Sequence, residues 1–471
     1  MARQPTHRPV HGHAHQAPAP THGHGHAHHD PAPAPAPRTD DDGGKTGARI
    51  RMYRVGFGDF FTLSVPAEGG LAHILIDCGV HAKDLGVIGD AVAKLKADTG
   101  GKLALVIMTH RHADHISGFA KARDLFETFS VERVWMSGFE NRGDKQAMRI
   151  QAQIAATAMR LQAALAAAPA DDEHVLMAGN ALGVAGAGND AALEMLHGFK
   201  TAAGEKTPVD YYWAGQPATL PPVLEKAGLE AEILGPPQDP QLLAQMDNKA
   251  HQYLAGADGE EEAPAAPFAP AYRVAAFPWP PGFKSIFPIE QVVANIHDAQ
   301  TGIVAAAAQN ADNSLNNQSL VVLFTFGGKT MLFAGDAQWG NWANFLFGGP
   351  IGTPGHTGLT KRAQDILSNL DFYKVGHHGS TNATPKDVVD AIGQRCVAMC
   401  STAIGAYGKE KSNSEVPRLP LIAALDAKTG QHLARSDQVA VGDIAADPKA
   451  GALPNIFTPG PAGSGFVDYL L

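Results

Sequence analysis

Leu103-Ala104-Leu105-Val106-Ile107-Met108 runs without a break into Thr109-His110-Arg111-His112-Ala113-Asp114-His115, and the junction of the two stretches decides the fold. The first is a continuous apolar run whose length and β-branched content predict a buried central strand. The second is polar and projects from the carboxyl end of that strand, where open α/β sheets hold their ligands. Four potential metal ligands, His110, His112, Asp114 and His115, fall within six positions. His110 and His112 alternate along one side of an extended loop, while Asp114 and His115 turn toward a neighbouring point, so the segment describes two half-built sites. Imidazole with carboxylate is the donor set that Zn²⁺ prefers, with Mn²⁺ or Fe²⁺ as alternatives. Surface solvation alone gives no reason to gather three histidines and an aspartate at a strand end.

Outward from this junction the pattern is that of an α/β protein. Residues 50–55, 60–65 and 72–76 read as antiparallel strands separated by glycine-containing turns, and residues 85–97 have helical periodicity. Beyond the histidines, a helix from 117 to about 129 and a strand at 131–136 continue a β-α-β rhythm. Residues 147–167 form a long Ala-rich helical stretch, 172–200 hold helical fragments broken by glycines, and 229–234 is a strand closed by Gly235, Pro236 and Pro237. The tract 238–312 is irregular, and a structureless loop of that length is unusual in a compact domain, so it is expected to carry short helices and cover an active-site edge. Strands resume at 319–326, 330–333, 372–375 and 396–401, with helices ending near 370 and spanning 385–392. The folded domain is expected over 49–471, with insertions at about 140–228 and 238–312.

Composition narrows the class. Residues 1–48 alternate His, Gly, Ala and Pro before an acidic run at Asp40, Asp41 and Asp42, which predicts a disordered tail. Its close-set imidazoles are read as part of a flexible segment, with metal storage as the alternative. The chain of 471 residues carries 37 Lys plus Arg against 47 Asp plus Glu, a net charge of −10. That balance works against a broad phosphate-tracking surface but leaves a local basic groove open. Three cysteines, Cys78, Cys396 and Cys400, cannot form a disulfide framework. They are read as buried small residues in a reducing compartment, and with no apolar run of membrane-spanning length the expectation is a cytoplasmic protein without membrane contact.

The motif H-x-H-x-D-H after a buried strand resembles the signature of the metallo-β-lactamase superfamily, and other matches follow in that family's order. Leu75-Ile76-Asp77-Cys78-Gly79 looks like the segment whose Asp braces the metal loop from behind. Leu332-Phe333-Ala334-Gly335-Asp336 resembles the strand end whose carboxylate bridges two metals, and Val375-Gly376-His377-His378-Gly379-Ser380 resembles the terminal histidine motif. Val55-Gly56-Phe57-Gly58-Asp59, Asn316-Asn317-Gln318-Ser319-Leu320 and His377-His378-Gly379-Ser380 are similar to the hydrolase domain of ComEC-type DNA-uptake proteins and their soluble relatives. The resemblance spans about residues 50–437.

What it implies is an αββα four-layer sandwich with large insertions and two divalent ions, Zn²⁺ foremost, held by His110, His112, Asp114, His115, Asp336 and His377. Asp77 supports the loop, Asp114 or Asp336 orients the nucleophile, and His378 serves the leaving group; the ligand assignment between His377 and His378 is open to reversal. One departure stands out. The family's third histidine for the first metal precedes the Gly-Asp motif, where this chain has Asn316, Asn317 and Ser319, so Asn317 or water is expected in its place. Thr353-Pro354-Gly355-His356-Thr357 copies the wording of that histidine motif but follows Asp336, and is read as a turn. Asp59 is read as a turn-former. The implied function is hydrolysis of a phosphodiester in nucleic acid or a nucleotide-like molecule. A small-molecule ester or lactone hydrolase and a non-catalytic metal-binding protein with a vestigial site are the alternatives.

Overall fold

Among the described residues fourteen strands carry the architecture: β1 (Arg49–Tyr53), β2 (Phe60–Ala67), β3 (Gly70–Cys78), β4 (Lys102–Met108), β5 (Ser130–Ser137), β6 (Val209–Tyr212), β7 (Glu230–Gly235), β8 (Val321–Phe326), β9 (Lys329–Phe333), β10 (Phe372–Lys374), β11 (Val397–Cys400), β12 (Leu433–Arg435), β13 (Thr458–Pro459) and β14 (Phe466–Leu470). This is a computed structural model, and it describes residues 47–152, 156, 189–243, 245, 247–253, 315–349, 358–408 and 415–471. The expected tail up to residue 46, most of the expected cover at 238–312, most of the Ala-rich helix and the turn holding His356 lie outside those residues.

The strands form two mixed sheets. One has the order β13-β14-β1-β2-β3-β4-β5-β6, antiparallel through β3 and parallel from β3 to β6; the other has the order β12-β11-β10-β9-β8-β7, parallel from β12 to β9. Side-chain alternation sorts their apolar residues. Leu63, Ile74, Leu105 and Ile107 of the first sheet meet Met331, Phe333, Phe372 and Met399 of the second in one buried cluster, so the sheets pack face to face. Val106 and Met108 point the other way, where they pack with α1 (Ile88–Thr99), α2 (Ala113–Lys121) and α3 (Asp190–Gly198) through Val92, Leu95, Ile116, Phe119 and Leu196. Leu332, Tyr373, Ala398 and Cys400 likewise face α4 (Trp339–Phe347), α5 (Lys361–Ser368), α6 (Lys386–Ala391) and α7 (Leu419–Lys428). A strand buried on both faces is what the run at 103–108 predicts.

Four elements differ from expectation. The helix expected from 117 begins at Ala113, and it gives way to a separate single-turn helix at Arg123–Phe126. Asp114 therefore lies in the first turn of α2, where a negative charge is favoured by the exposed N–H groups. Strand β6 and helix α3 fall in the tract expected as an insertion, yet β6 is the edge of the first sheet and α3 covers it. Strand β14, beyond the limit of the resemblance, pairs with β1 from Arg49↔Leu470 to Tyr53↔Phe466. No helix among the described residues is long and apolar enough to cross a membrane.

Candidate metal centre

Asp77, near the end of β3, organises the histidine loop through its two carboxylate oxygens. Oδ1 accepts from the Thr109 backbone N–H at 2.8 Å, and Oδ2 accepts from the Thr109 hydroxyl at 2.7 Å and from His115 Nδ1 at 2.8 Å. Strand β3 and helix α2 can come this close because Gly79 separates them. A Cβ there would stand 2.4 Å from the backbone C of Asp114 and the backbone N of His115. Gly58 is equally confined, since a Cβ would meet the carbonyl oxygens of Gly79 and Asp114 at 2.3 and 2.7 Å. Arg111, between the two outer histidines, turns away into a two-pronged pair with Glu140 at 2.9 and 2.6 Å.

From the second sheet come Asp336, after β9, and the His377-His378 turn, after β10. The group Asp114, His115, Asp336 and His378 brings one ligand atom from each residue within 4.8 Å of the others. His115 Nε2 lies 3.1 Å from Asp336 Oδ2, and His378 Nε2 lies 3.2 Å from Asp114 Oδ2 and 3.5 Å from Asp336 Oδ2. Hydrogen counting settles which nitrogens are bare. His115 donates its Nδ1–H to Asp77, and His378 donates its Nδ1–H to the Ser401 carbonyl at 2.9 Å. Each then turns a lone pair on Nε2 toward carboxylate oxygens, which is stable only with a proton or a cation between them. The residues thus fit a metal ion.

His110 Nδ1 lies 3.1 Å from Thr109 Oγ1 and 3.3 Å from Ser319 Oγ, and its Nε2 is buried with no hydrogen-bond partner. The His110 ring lies 4.1 Å from that of His115 and 4.6 Å from that of His112. Of the expected ligands, Asp114, His115 and Asp336 therefore share one close group, with Asp77 behind His115 and the rings of His110 and His112 beside it.

Two assignments are corrected. His378, not His377, completes the four-residue group; the ring of His377 is the more open of the two, at 20% exposure, with Nε2 4.0 Å from Asp336 Oδ2. Strand-end position alone could not separate them, because both residues have positive φ, 45° and 51°, and the turn splays their rings. Such backbone costs on the order of 1–2 kcal/mol per residue and persists where the surroundings impose it. Asn317 is not a ligand. Its Nδ2 donates to the carbonyls of Leu243 and Gln245 at 3.2 and 2.8 Å, and its Oδ1 accepts from the backbone N–H groups of Gln338 and Asn341 at 3.1 and 3.3 Å. Asn316 faces the site instead, with Nδ2 at 3.3 Å from His377 Nε2.

The residues that sequence reasoning missed are Asp59 and Lys374. Asp59 is no mere turn-former: it is 1% exposed and paired with Lys374, whose Nζ also donates to the Gly335 carbonyl at 3.1 Å and lies 3.7 Å from Asp336 Oδ1. A lysine in an otherwise apolar strand was the available signal. Asp59, Asp77 and His115 also form a close group, but their oxygens already hold the Lys374 ammonium and the His115 N–H, so this group is a support and not an ion site.

The electrostatics follow from burial among like and unlike charges. Burial opposes the imidazolium of His115 and of His378, but Asp336, with Asp77 and Asp59 for the former and Asp59 and Asp114 for the latter, outweighs it and holds both above the usual histidine value. Burial and neighbouring histidines press His110 well below it; burial above all brings His112 down to about 4. Burial works against the Asp336 and Asp114 carboxylates, yet His115 and His378 keep both below the ordinary range. Elsewhere, His73 bonds Ser64 at 2.8 Å and His197 bonds the Leu193 carbonyl at 2.7 Å, as packing residues do, and all three cysteines are buried and free. No protein-family model and no curated protein matches the chain.

Proposed function

We propose that this chain is a metal-dependent hydrolase of the metallo-β-lactamase superfamily, its two sheets and flanking helices forming that family's αββα sandwich, and that it resembles the soluble hydrolase domain of ComEC-type proteins. The observation that carries the reading is the pair of Nε2 atoms on His115 and His378, each oriented by a hydrogen bond on its far side and aimed at Asp336 and Asp114 with a proton or a cation between. Histidine ligands held from behind in this way, beside carboxylates, suit a divalent ion, with Zn²⁺ first and Mn²⁺ or Fe²⁺ as alternatives. Two ions are expected, the first among Asp114, His115, Asp336 and His378 and the second beside His110 and His112. An ion there would polarise the scissile ester and lower the pKa of water toward neutrality.

The chain's own residues do the rest. Asp114, the most open carboxylate of the group at 13% side-chain exposure, is placed to take a proton from an attacking water. Asp336 is held by the His377 backbone N–H at 3.0 Å and by nearby Lys374, which keeps its Oδ2 turned inward. The Phe57 ring lies against that of His378 at 4.2 Å, tilted by 49°, and covers it from that side. With Nδ1 bonded to Ser401 and Nε2 in the group, His378 is a ligand and not the donor to a leaving group. The substrate class is a phosphodiester on the strength of the ComEC-like wording, and the net charge of −10 favours a short, nucleotide-like molecule over a long polyanion. Three buried free thiols suit a reducing, cytoplasmic setting.

The test compares bis(p-nitrophenyl) phosphate, single-stranded DNA and a simple lactone as substrates. Phosphodiester turnover is expected to vanish on chelation, return with Zn²⁺ or Mn²⁺, and fall about 100-fold or more in Asp114→Ala. Turnover of the lactone alone would replace the substrate class. Undiminished turnover in Asp114→Ala would remove the hydrolase reading.

A further inference from the structure

Two loops beside the metal-binding group carry rings that the chemistry above does not use. Strand β3 runs parallel to β4, and β11 runs parallel to β10. The chain therefore leaves β3 and β11 at the same strand ends that bear the loop 110–115 and the turn 377–379, where α/β sheets hold their ligands. The loop after β3 places His81 there, and the loop after β11 places Tyr407. We propose, resting on the phosphodiester reading above, that His81 and Tyr407 form a stacking wall for the base of a nucleotide, next to the position of the scissile ester.

The geometry of the rings is the first ground. The planes of His81 and Tyr407 lie within 13° of each other, with centres 6.4 Å apart. Both side chains are half-buried, so each keeps part of its ring within reach of a ligand. Phe57, in contrast, is 4% exposed. Its ring meets that of Tyr407 edge-on at 4.9 Å and lies 4.2 Å from that of His378. One ring thus separates Tyr407 from a histidine of the metal-binding group. A base laid on the wall stands beside that group, as it stands beside its own phosphate.

The second ground is that the wall is set before any ligand arrives. The Phe57 N–H donates to the Ala82 carbonyl at 3.0 Å, and the His81 N–H donates to the Phe57 carbonyl at 2.9 Å. The Tyr407 carbonyl accepts from the Val416 N–H at 3.1 Å, and two residues further on the Arg418 N–H donates to the Gly379 carbonyl at 2.7 Å. Tyr407 is in this way anchored to the turn that carries His378. The Lys83 ammonium donates to the Ile404 carbonyl and ties the two loops together. Rings held in place lose little freedom on binding.

Charge supplies the third ground. A chain of net charge −10 has little grip on phosphates by electrostatics alone. Stacking draws on no charge, and because every base has a π-face it selects a base without selecting which one.

The experiment measures binding of thymidine 5′-monophosphate, and of 2-deoxyribose 5-phosphate as its counterpart without a base, to the full-length protein with Zn²⁺ present, by isothermal titration calorimetry. Neither ligand is a diester, so neither is consumed by the proposed activity. The unaltered chain is expected to bind the nucleotide about tenfold or more tightly than the sugar phosphate. Tyr407→Ala is expected to bring the two affinities within about twofold of each other, and Tyr407→Phe, which keeps the ring, to retain the preference. A merely structural loss in Tyr407→Ala would weaken both ligands alike and leave their ratio unchanged. That result overturns the stacking wall, as does equal binding of the two ligands by the unaltered chain, and the phosphodiester reading survives either one. If neither ligand binds, the substrate class and the wall fall together. Should Tyr407→Ala not fold, as read by far-UV circular dichroism, His81→Ala decides, a lowered ratio being the expected result and an unchanged ratio the overturning one.

Discussion

Lys374 places a buried ammonium among three carboxylates, Asp59, Asp336 and Asp77. Its partners are Asp59 and the Gly335 carbonyl, with Asp336 at 3.7 Å, all deeply buried. Removing one member of a buried pair strands the other, so Lys374→Met is expected to destabilise the protein by about 3–5 kcal/mol in chemical denaturation. The paired change Asp59→Asn with Lys374→Met is expected to recover much of that loss, because no lone charge remains. An unrecovered double variant would show that the pair has a role beyond mutual neutralisation. The sequence made the histidines and Asp336 legible because a metal site demands unusual residue types at short spacing. It hid Lys374 and Asp59 because their meaning arises only when β10 and the loop before β2 are brought together. Asn316 and Asn317 show the same limit: adjacent and chemically identical, they are told apart only by the backbone groups around them.

At the scale of elements, the approach of β3 to the first turn of α2 sets the position of Asp114 and His115. Gly79→Ala would press a methyl group against the backbone of both residues at 2.4 Å, where no flexible side chain can give way. The expected result is loss of the ion among Asp114, His115, Asp336 and His378 and a fall in stability of at least about 1–3 kcal/mol. Gly198→Ala, at the end of α3 with nothing within 4 Å of its added methyl, is the control and is expected to keep both. Equal losses in the two would separate the glycine's role from the metal centre. Element types in the layered body were largely legible, because alternation in β2 and β3 and the apolar run of β4 leave few other structures open. The start of α2 was not, since Ala113, Asp114 and His115 read as well in a loop. Strands β6, β12 and β14 are short, and their place comes from pairing with distant partners.

For the whole molecule, the buried histidines set opposing dependences on pH. His110 and His112 titrate below the ordinary 6.5, His112 at about 4, so the unfolded chain binds protons first and stability is lost as pH falls from 6.5 toward 4. His115 and His378 titrate above 6.5, so their contribution is full below that value and is lost as pH rises through the folded pKa. Chelator-treated protein is therefore expected to melt highest near pH 6.5. Added Zn²⁺, which competes with protons at His115 and His378, should raise the melting temperature more at pH 8 than at pH 6. A melting temperature that climbs steadily to pH 8 without metal would contradict these assignments. The residues of the site divide four to three by origin. His110, His112, Asp114 and His115 ride on the first sheet and its helix, while Asp336, His377 and His378 ride on the second. Any ion they hold is then a clasp across the seam of the sandwich, and emptying it unfastens one rim of the two halves. The loading state is in this way written into how firmly the halves stay in register, far from the ion itself.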